Sequence, residues 1–593
     1  MQSNTTGNNN VAVGYDAGRA ITTGGQNTVV GTLALDANTT GDSNVAMGYL
    51  ALSANTTADQ NTAVGRSAMA ACTTGSKTTA IGYGAFANMT TGGNSVAIGW
   101  EAGSAMTTGL YNVFVGFECG HDITTGQFNT ALGYQALDTI QTVGETTAIG
   151  AYALTALTNS GTYNTALGYK AGSACTDGTR NVFIGWEAGV NATTPNRCIV
   201  IGQNAAQGVL TGDDNVLIGR EAGYDMTTGN TNTAVGNYTL QNVTTGGANV
   251  AIGMEALQTI STASNNTAVG YKALEAGTGG DNTAIGFEAG KDMTSGDRNT
   301  AVGYEASEKN TTGSYNVAVG SFALWANTTA NNMVAVGYNA LQAVTTGHSD
   351  TAVGYQALTS NTTGANNTAY GYQAFKDLTT GNSNTAVGRQ CGHNVTTGSD
   401  NAFFGYNSGD EVTTGGSNTL IGSNAGGSGN YSGNTYIGQQ AGVNATSGNQ
   451  NIAIGTIAGT DAVFNLTSES ERIVMGMNDH TNAYIKIAWT VTSDKRDKIE
   501  DGTVDHGLDF VNKLDPKSFY FRKNRDSDEK TGQKRYGFYA QDILELEGSN
   551  NVIVDNEDPE NLKYKGEHLV PVLVKAVQEL SAKVEELESK LNN

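Results

Sequence analysis

The string Ser493-Asp494-Lys495-Arg496-Asp497-Lys498 sets one hydroxyl among three cations and two carboxylates. A serine hydroxyl becomes a useful nucleophile only beside a base. A lysine amine serves as that base only where desolvation or neighbouring cations favour its neutral form. Lys495 and Arg496 are such neighbours, so the string is compatible with serine-lysine chemistry. Taken by itself it reads first as a charged surface turn.

The other reactive residue types are spread in ways that argue against sites. His121, His348, His393, His480, His506 and His568 are too scattered to suggest a metal centre. No phosphate-cradling Gly-Lys-Ser loop or dinucleotide fingerprint is present. Glu101, Glu118, Glu187 and Glu221 occupy one variable repeat position and read as a solvated stripe, not as paired glycosidase carboxylates. Cys119 and Cys391 replace a recurrent Ala, Cys72 and Cys175 share another position, and Cys198 replaces an Asn. All five read as small fillers, neither metal ligands nor a disulfide set. The expectation is no cofactor, no metal and no turnover catalysis. A net charge of −23 disfavours nucleic acid and anionic membrane surfaces. There is no run of 18 apolar residues to insert in a membrane, and the opening MQSNTTGNNN lacks the pattern of a signal peptide.

What must position any site is a repeat. A branched residue followed by glycine returns 27 times from Gly14 to Gly455. The step is seventeen except for one of eighteen (Gly150 to Gly168) and two of sixteen (Gly270 to Gly286, Gly422 to Gly438). Such a count suits a coil whose rungs lie on one another. Before each glycine stand Thr/Val/Ile, then mostly Ala, then Val/Ile/Leu/Met, with Ala402, Tyr370 and Phe404 as departures; none of these positions is charged. The pattern predicts a strand buried on both faces, one inward and one against something else. Four residues before the glycine, Asn recurs in 21 of 27 copies, as at Asn10, Asn27 and Asn44, predicting an axial Asn ladder. Tyr or Trp often follows the glycine, as at Tyr15, Tyr49, Trp100, Tyr134, Trp186 and Tyr304. This row either covers the rung below or offers sugars a stacking surface. A Thr-Thr-Gly turn such as Thr22 to Gly24 closes the rung, its glycine allowing positive φ. The predicted rung has two short strands and two turns. At about 4.8 Å per rung the stack would span roughly 130 Å. So thin a coil encloses little core alone, which favours several chains side by side, a trimer of parallel coils in the first instance.

Composition changes near residue 460. Residues 1–460 hold 13 Lys+Arg and 28 Asp+Glu; residues 461–593 hold 18 and 26 in far fewer positions. The expected domains are a shaft at 1–460, a β cap at 461–492, and a separate domain at 493–593. In the cap, 471–477 and 483–492 read as alternating strands around the polar turn 478–482. Within 567–593, Val570, Leu573, Val577, Leu580, Val584, Leu587 and Leu591 step by three and four as coiled-coil a and d positions, with Lys583 at g and Glu588 at e. A single helix packed on its own domain is the alternative.

Two resemblances add to this reading. Asn94-Ser95-Val96-Ala97-Ile98-Gly99 resembles the repeat of the parallel β-roll in trimeric adhesin heads. The Ser493–Lys498 string, followed in order by 507–521, 536–543 and 568–580, resembles the C-terminal intramolecular chaperone of phage tail fibres and tailspikes, including endosialidases. That resemblance implies a domain that trimerises the fibre, helps it fold and then cuts itself off. Ser493 would be the nucleophile and Lys498 the base, with Asp494 and Arg496 completing the signature and the Ser493–Asp494 bond the expected cut. The fold expected is therefore an all-β parallel solenoid or β-roll of about 27 rungs, trimeric, then a small α+β chaperone domain ending in a coiled-coil helix. The function implied is a virion tail fibre, assembled in the host cytoplasm, joined to other tail proteins and contacting a bacterial surface receptor such as a glycan. A trimeric cell-surface adhesin stalk and an ice-binding solenoid are the alternatives.

Overall fold

The structure, a computed structural model, describes all residues except 1, 143, 159, 461–464, 478–492, 523–524, 550, 558, 561 and 593. The fold is an all-β parallel solenoid of about 27 turns followed by a small domain with short strands and a terminal helix. Residues 1–400 and 401–593 form two compact units. The first holds strands β1 (Val11–Val13) to β23 (Thr385–Val387); the second begins with β24 (Ala402–Phe404) to β28 (Ile473–Met475).

Each rung carries one three-residue strand, not the two expected, and equivalent residues pair in parallel from rung to rung, as Val11 with Thr28 and Ala12 with Val29. The segment read as a second strand instead turns through the left-handed region: Glu101 has φ 51° and Leu35 φ 48°. Left-handed backbone in Leu and Glu is disfavoured locally. Here the turn places Leu35 and Leu52 wholly inside the coil. The irregular steps leave the ladder intact. Thr147 pairs with Thr165 across the step of eighteen, and Thr267 with Thr283 across a step of sixteen.

The strand's middle residue points inward and its neighbours outward. Ala46, Ala63, Ala80 and Ala97 are fully buried, whereas Val13 is 59%, Leu132 48% and Leu167 46% exposed. In the single chain the outer uncharged face is therefore only half covered. Core volume is conserved in two ways. Nine rungs combine Ala on the strand with Leu four residues after the glycine, as Ala46 with Leu52; four place a large ring on the strand (Phe114, Phe183, Phe403, Tyr436) and glycine in the later position. A Cβ on Gly120 would lie 2.8 Å from the Phe114 ring, and one on Gly189 2.4 Å from Phe183.

The anchor glycine is required twice over. Gly99 has φ 140°, and a Cβ there would sit 2.1 Å from the Gly116 carbonyl oxygen of the next rung. The glycine of the Thr-Thr-Gly turn corrects the expectation of positive φ: Gly24 has none, and close approach excludes a side chain, since its Cβ would meet the Gly41 carbonyl at 2.4 Å.

Side chains lace the rungs together. The Asn27 backbone N–H donates to Asn10 Oδ1 at 2.8 Å, and Asn44 repeats this onto Asn27 at 2.9 Å. The Asn27 amide donates to the Gly41 carbonyl at 3.0 Å. The ladder thus runs mainly from side chain to backbone. It satisfies polar groups that would be costly if left unpaired inside the coil. Thr22 donates through Oγ1 to the Thr39 carbonyl at 2.9 Å, and Thr39 to that of Thr56 at 3.0 Å. Cys72, Cys119, Cys175, Cys198 and Cys391 are all buried and unlinked by disulfides.

Ile473–Met475, within the expected cap, is a strand that pairs in parallel with Ile452–Ile454 as one more rung after a step of 21 residues from Gly455 to Gly476. The second cap strand, 483–492, lies outside the described residues.

The C-terminal domain starts with a short 3-10 turn at Lys495–Asp497. Then come α1 (Leu508–Val511), β29 (Lys517–Arg522), β30 (Lys530–Gly537), α2 (Ala540–Glu547), β31 (Val554–Asp555), β32 (Lys563–Tyr564) and α3 (Leu569–Leu591). β29 and β30 pair antiparallel, as do β31 and β32. Phe510, Ile543, Ile553, Val554, Leu569 and Val572 form its core.

Candidate functional site

The hydroxyl and the amine singled out in the sequence meet. Lys498 Nζ donates to Ser493 Oγ at 2.5 Å, with both residues exposed. What brings them together is the 3-10 turn between them, which Asp494 caps by accepting the Arg496 backbone N–H at 2.9 Å. The Arg496 guanidinium then grips the same carboxylate, Nε at 3.1 Å from both oxygens and Nη2 at 2.5 Å from Oδ2. This pairing holds the Asp494 carboxyl below its ordinary range and raises Arg496. Asp494 and Arg496 therefore shape the turn that brings Ser493 and Lys498 together.

Chemically, the contact is poised but not armed. A charged ammonium donates to the hydroxyl, whereas a base must accept the hydroxyl proton through a neutral amine. Among the described residues, none takes Lys498 out of water.

Residues 493–552 match the family model described as chaperone of endosialidase.

The match begins at Ser493 and includes Lys498, so the turn stands at the head of the matched segment. It stops short of 568–580, the last of the four stretches on which the sequence resemblance rested. A comparison with curated proteins finds no match to the chain. The fold nonetheless joins three of the four stretches: Phe510 from 507–521, Ile543 from 536–543, and Leu569 and Val572 from 568–580 share the core.

Three polar contacts that the sequence did not disclose hold this domain together. Glu547, 5% exposed, accepts the backbone N–H groups of Val552, Ile553 and Val554 at 2.9, 2.7 and 3.0 Å. Glu579 on α3 accepts the Leu508 N–H at 2.7 Å, and Lys575 Nζ donates to the Val504 carbonyl at 2.5 Å. Each pairs groups more than three residues apart with no motif to flag them.

α3 shows both faces that were weighed as alternatives. Leu569, Val572 and Ala576 are buried on its own domain, while Val570, Val577, Leu580, Val584 and Leu587 are 45–61% exposed along the a/d seam. A single chain leaves that seam uncovered.

The aromatic row forms two ladders of seven rings. One runs Tyr83, Trp100, Phe117, Tyr134, Tyr152, Tyr169, Trp186; the other runs from Tyr271 to Tyr372. Phe117 and Tyr134 lie 5.2 Å apart and 6° from parallel, as do Phe287 and Tyr304. The faces of such rings are spent on one another, which leaves mainly edges for any sugar. The ladder thus fits the reading in which each ring covers the next rung.

Among the described residues one acidic cluster, Glu288, Glu305 and Glu308, has ligand atoms within 4.8 Å of one another. Its carboxylates are already engaged by protein groups. Trp325 Nε1 donates to Glu308 at 2.6 Å and to Glu305 at 3.1 Å, and Lys309 and Lys291 pair with Glu308 and Glu288. Among the described residues no helix is long and apolar enough to cross a membrane.

Proposed function

We propose that this chain is the shaft of a phage tail fibre or tailspike, a homotrimer whose C-terminal domain aligns and folds three chains and is then removed by self-cleavage next to Ser493. The observation that carries the reading is the Lys498–Ser493 contact at the head of a segment matching the chaperone of endosialidase, joined to a long repeat. In the cleavage step Lys498, once neutral, takes the Ser493 hydroxyl proton. Ser493 Oγ bonds to the carbonyl carbon of the adjoining peptide bond, whose C–N bond breaks as Lys498 passes the proton to the departing amine; water then hydrolyses the resulting ester, leaving a carboxylate and restoring the serine hydroxyl. Asp494 and Arg496 keep the turn in shape while this happens.

The repeat supplies the reason for such a tail. Rungs of near-identical sequence pair almost as well when shifted by one, so register must be set from outside the repeat. The uncovered seam of α3 and the half-covered outer strand face are the two surfaces on which three copies would meet. Removal of the tail after assembly makes folding effectively one-way and leaves a kinetically stable shaft. In this reading the fibre belongs to the virion, joins other tail proteins and meets a bacterial surface receptor. The ice-binding alternative loses force because Thr22, Thr39 and their equivalents spend their hydroxyl protons on backbone carbonyls.

Intact mass after expression tests the reading. The wild type is expected to yield two fragments meeting at Ser493, and Ser493→Ala and Lys498→Ala full-length chains. Full-length wild type, or cleavage that survives both substitutions, would overturn it.

A further inference from the structure

A serine hydroxyl does not reach the two peptide bonds beside it equally. Attack on the carbonyl that precedes the serine closes a five-membered ring through Oγ, Cβ, Cα, N and C. Attack on the serine's own carbonyl closes a four-membered ring, which holds Oγ off the line of approach that bond formation needs. The bond expected to break, Ser493–Asp494, is of the second kind. It is also the bond that the local structure holds in shape, since Asp494 caps the 3-10 turn, Arg496 grips its carboxylate and Ser493 is exposed. The single chain thus carries a hydroxyl and, at 2.5 Å, an amine to take its proton. Its own Ser493–Asp494 carbonyl lies outside the productive reach of that hydroxyl.

The fold indicates where another carbonyl would come from. Six residues after Lys498 the chain is tied to α3: Lys575 Nζ donates to the Val504 carbonyl at 2.5 Å, and Glu579 accepts the Leu508 N–H at 2.7 Å. Six residues span at most about 20 Å, so the turn is tethered close to this level of the helix. Lys575 stands between Leu573 and Val577 of the uncovered seam, 41% and 61% exposed. Helices paired along such a seam lie about 8–10 Å apart, which brings the turns of two copies within reach of each other. Residues 495–500 are exposed, so the turn is open to such a neighbour.

We propose that the cut is made between copies: Ser493 of one chain, with its own Lys498 as base, attacks the Ser493–Asp494 carbonyl of a second copy. The proposal rests on the self-cleavage reading and adds to it the source of the nucleophile. Neutral Lys498 takes the Oγ proton, and Oγ bonds to the carbonyl carbon of the second copy. The C–N bond breaks, its electron pair goes to the Asp494 nitrogen, and Lys498 delivers the proton there. An ester then joins the two copies until water hydrolyses it to a carboxylate on the cut chain and a free hydroxyl on the chain that made the cut. Cutting is thereby conditional on assembly, since a chain by itself has the hydroxyl and the base without a carbonyl to attack.

The test co-expresses full-length wild type with a full-length Ser493→Ala chain that carries an N-terminal affinity tag, purifies through the tag and reads intact masses in the particles that contain both. Ser493 is exposed, so the substitution spares the fold, and oligomeric mass is recorded. Alone, Ser493→Ala is expected to stay whole. Mixed in equal amounts with wild type, about half of the Ser493→Ala chains are expected to be cut after residue 493, the share whose neighbour around a cyclic assembly carries the serine. Ser493→Ala mixed with Lys498→Ala is expected to stay whole, because neither chain has the hydroxyl and its amine together; cutting in that mixture would overturn the same-chain pairing. Ser493→Ala chains that stay whole beside cut wild type would mean that the hydroxyl serves its own chain, and the proposal fails. A shaft fragment ending at residue 492 defeats it too, since the chain's own hydroxyl reaches that bond through the five-membered ring. These last two outcomes spare the serine-lysine reading, whereas wild type that is never cut, or Ser493→Ala that is cut alone, removes it.

Discussion

Asp350 interrupts the Asn ladder, and replacing it with Asn should stabilise the coil in a pH-dependent way. Its side chain is fully buried, with the Asn367 N–H donating to Oδ1 at 2.6 Å and the Asn361 amide donating to Oδ2 at 2.8 Å. Burial pushes the carboxyl from 3.8 up to about 7, against the pull of these hydrogen bonds. Folding therefore favours the protonated acid. No penalty exists below pH 3.8; it grows as pH rises toward 7 and is then constant. The shift of about three units corresponds to roughly 4 kcal/mol, or about a thousandfold in a local opening equilibrium. Asn is already accommodated in this setting: Asn27 with Asn38, and Asn44 with Asn55, share the same carbonyl acceptors that Gly364 would offer. Native-state hydrogen exchange of the Asn367 amide is the assay, read as the ratio of wild type to Asp350→Asn at each pH so that intrinsic exchange cancels. The ratio should approach the order of 10³ at pH 8 and fall toward unity at pH 4. An equal ratio at both pH values, or faster exchange in the variant at pH 8, would refute the reasoning.

Two further substitutions probe the packing. Phe114→Ala should cost about 3–5 kcal/mol, and Gly120→Leu should clash with the Phe114 ring. The double variant should recover most of the loss, because it recreates the Ala46 and Leu52 pairing; thermal unfolding of the three variants reads the coupling. Gly99→Ala combines φ 140° with an overlap on the Gly116 carbonyl, so it should open the ladder locally and raise amide exchange in the flanking rungs, while substitution of the exposed Thr23 should not.

Periodicity was enough to read the coil. The even return of glycine fixed rung number and pairing, because only superposed rungs require that spacing. It did not show that Glu101 and Leu35 adopt left-handed backbone, since neither residue type announces it, and so a second strand was expected where a turn occurs. Residues 471–477 were legible as a strand but not as a further rung, because 21 residues, not seventeen, separate Gly455 from Gly476. At the site, Ser493 and Lys498 lie close in sequence, and one capped turn suffices to join them. The tie between 504–508 and α3 could not be read, since only the tertiary contacts of Lys575 and Glu579 make it.

The central claim is that this coil exists as three aligned copies brought together by a tail that is later shed. Sedimentation equilibrium of the purified product, with its chain mass taken from the same sample under denaturing conditions, addresses that most directly. A particle of three chains, each ending at Ser493, is the predicted result. A single chain in solution, whether or not it has been cut, would contradict the account.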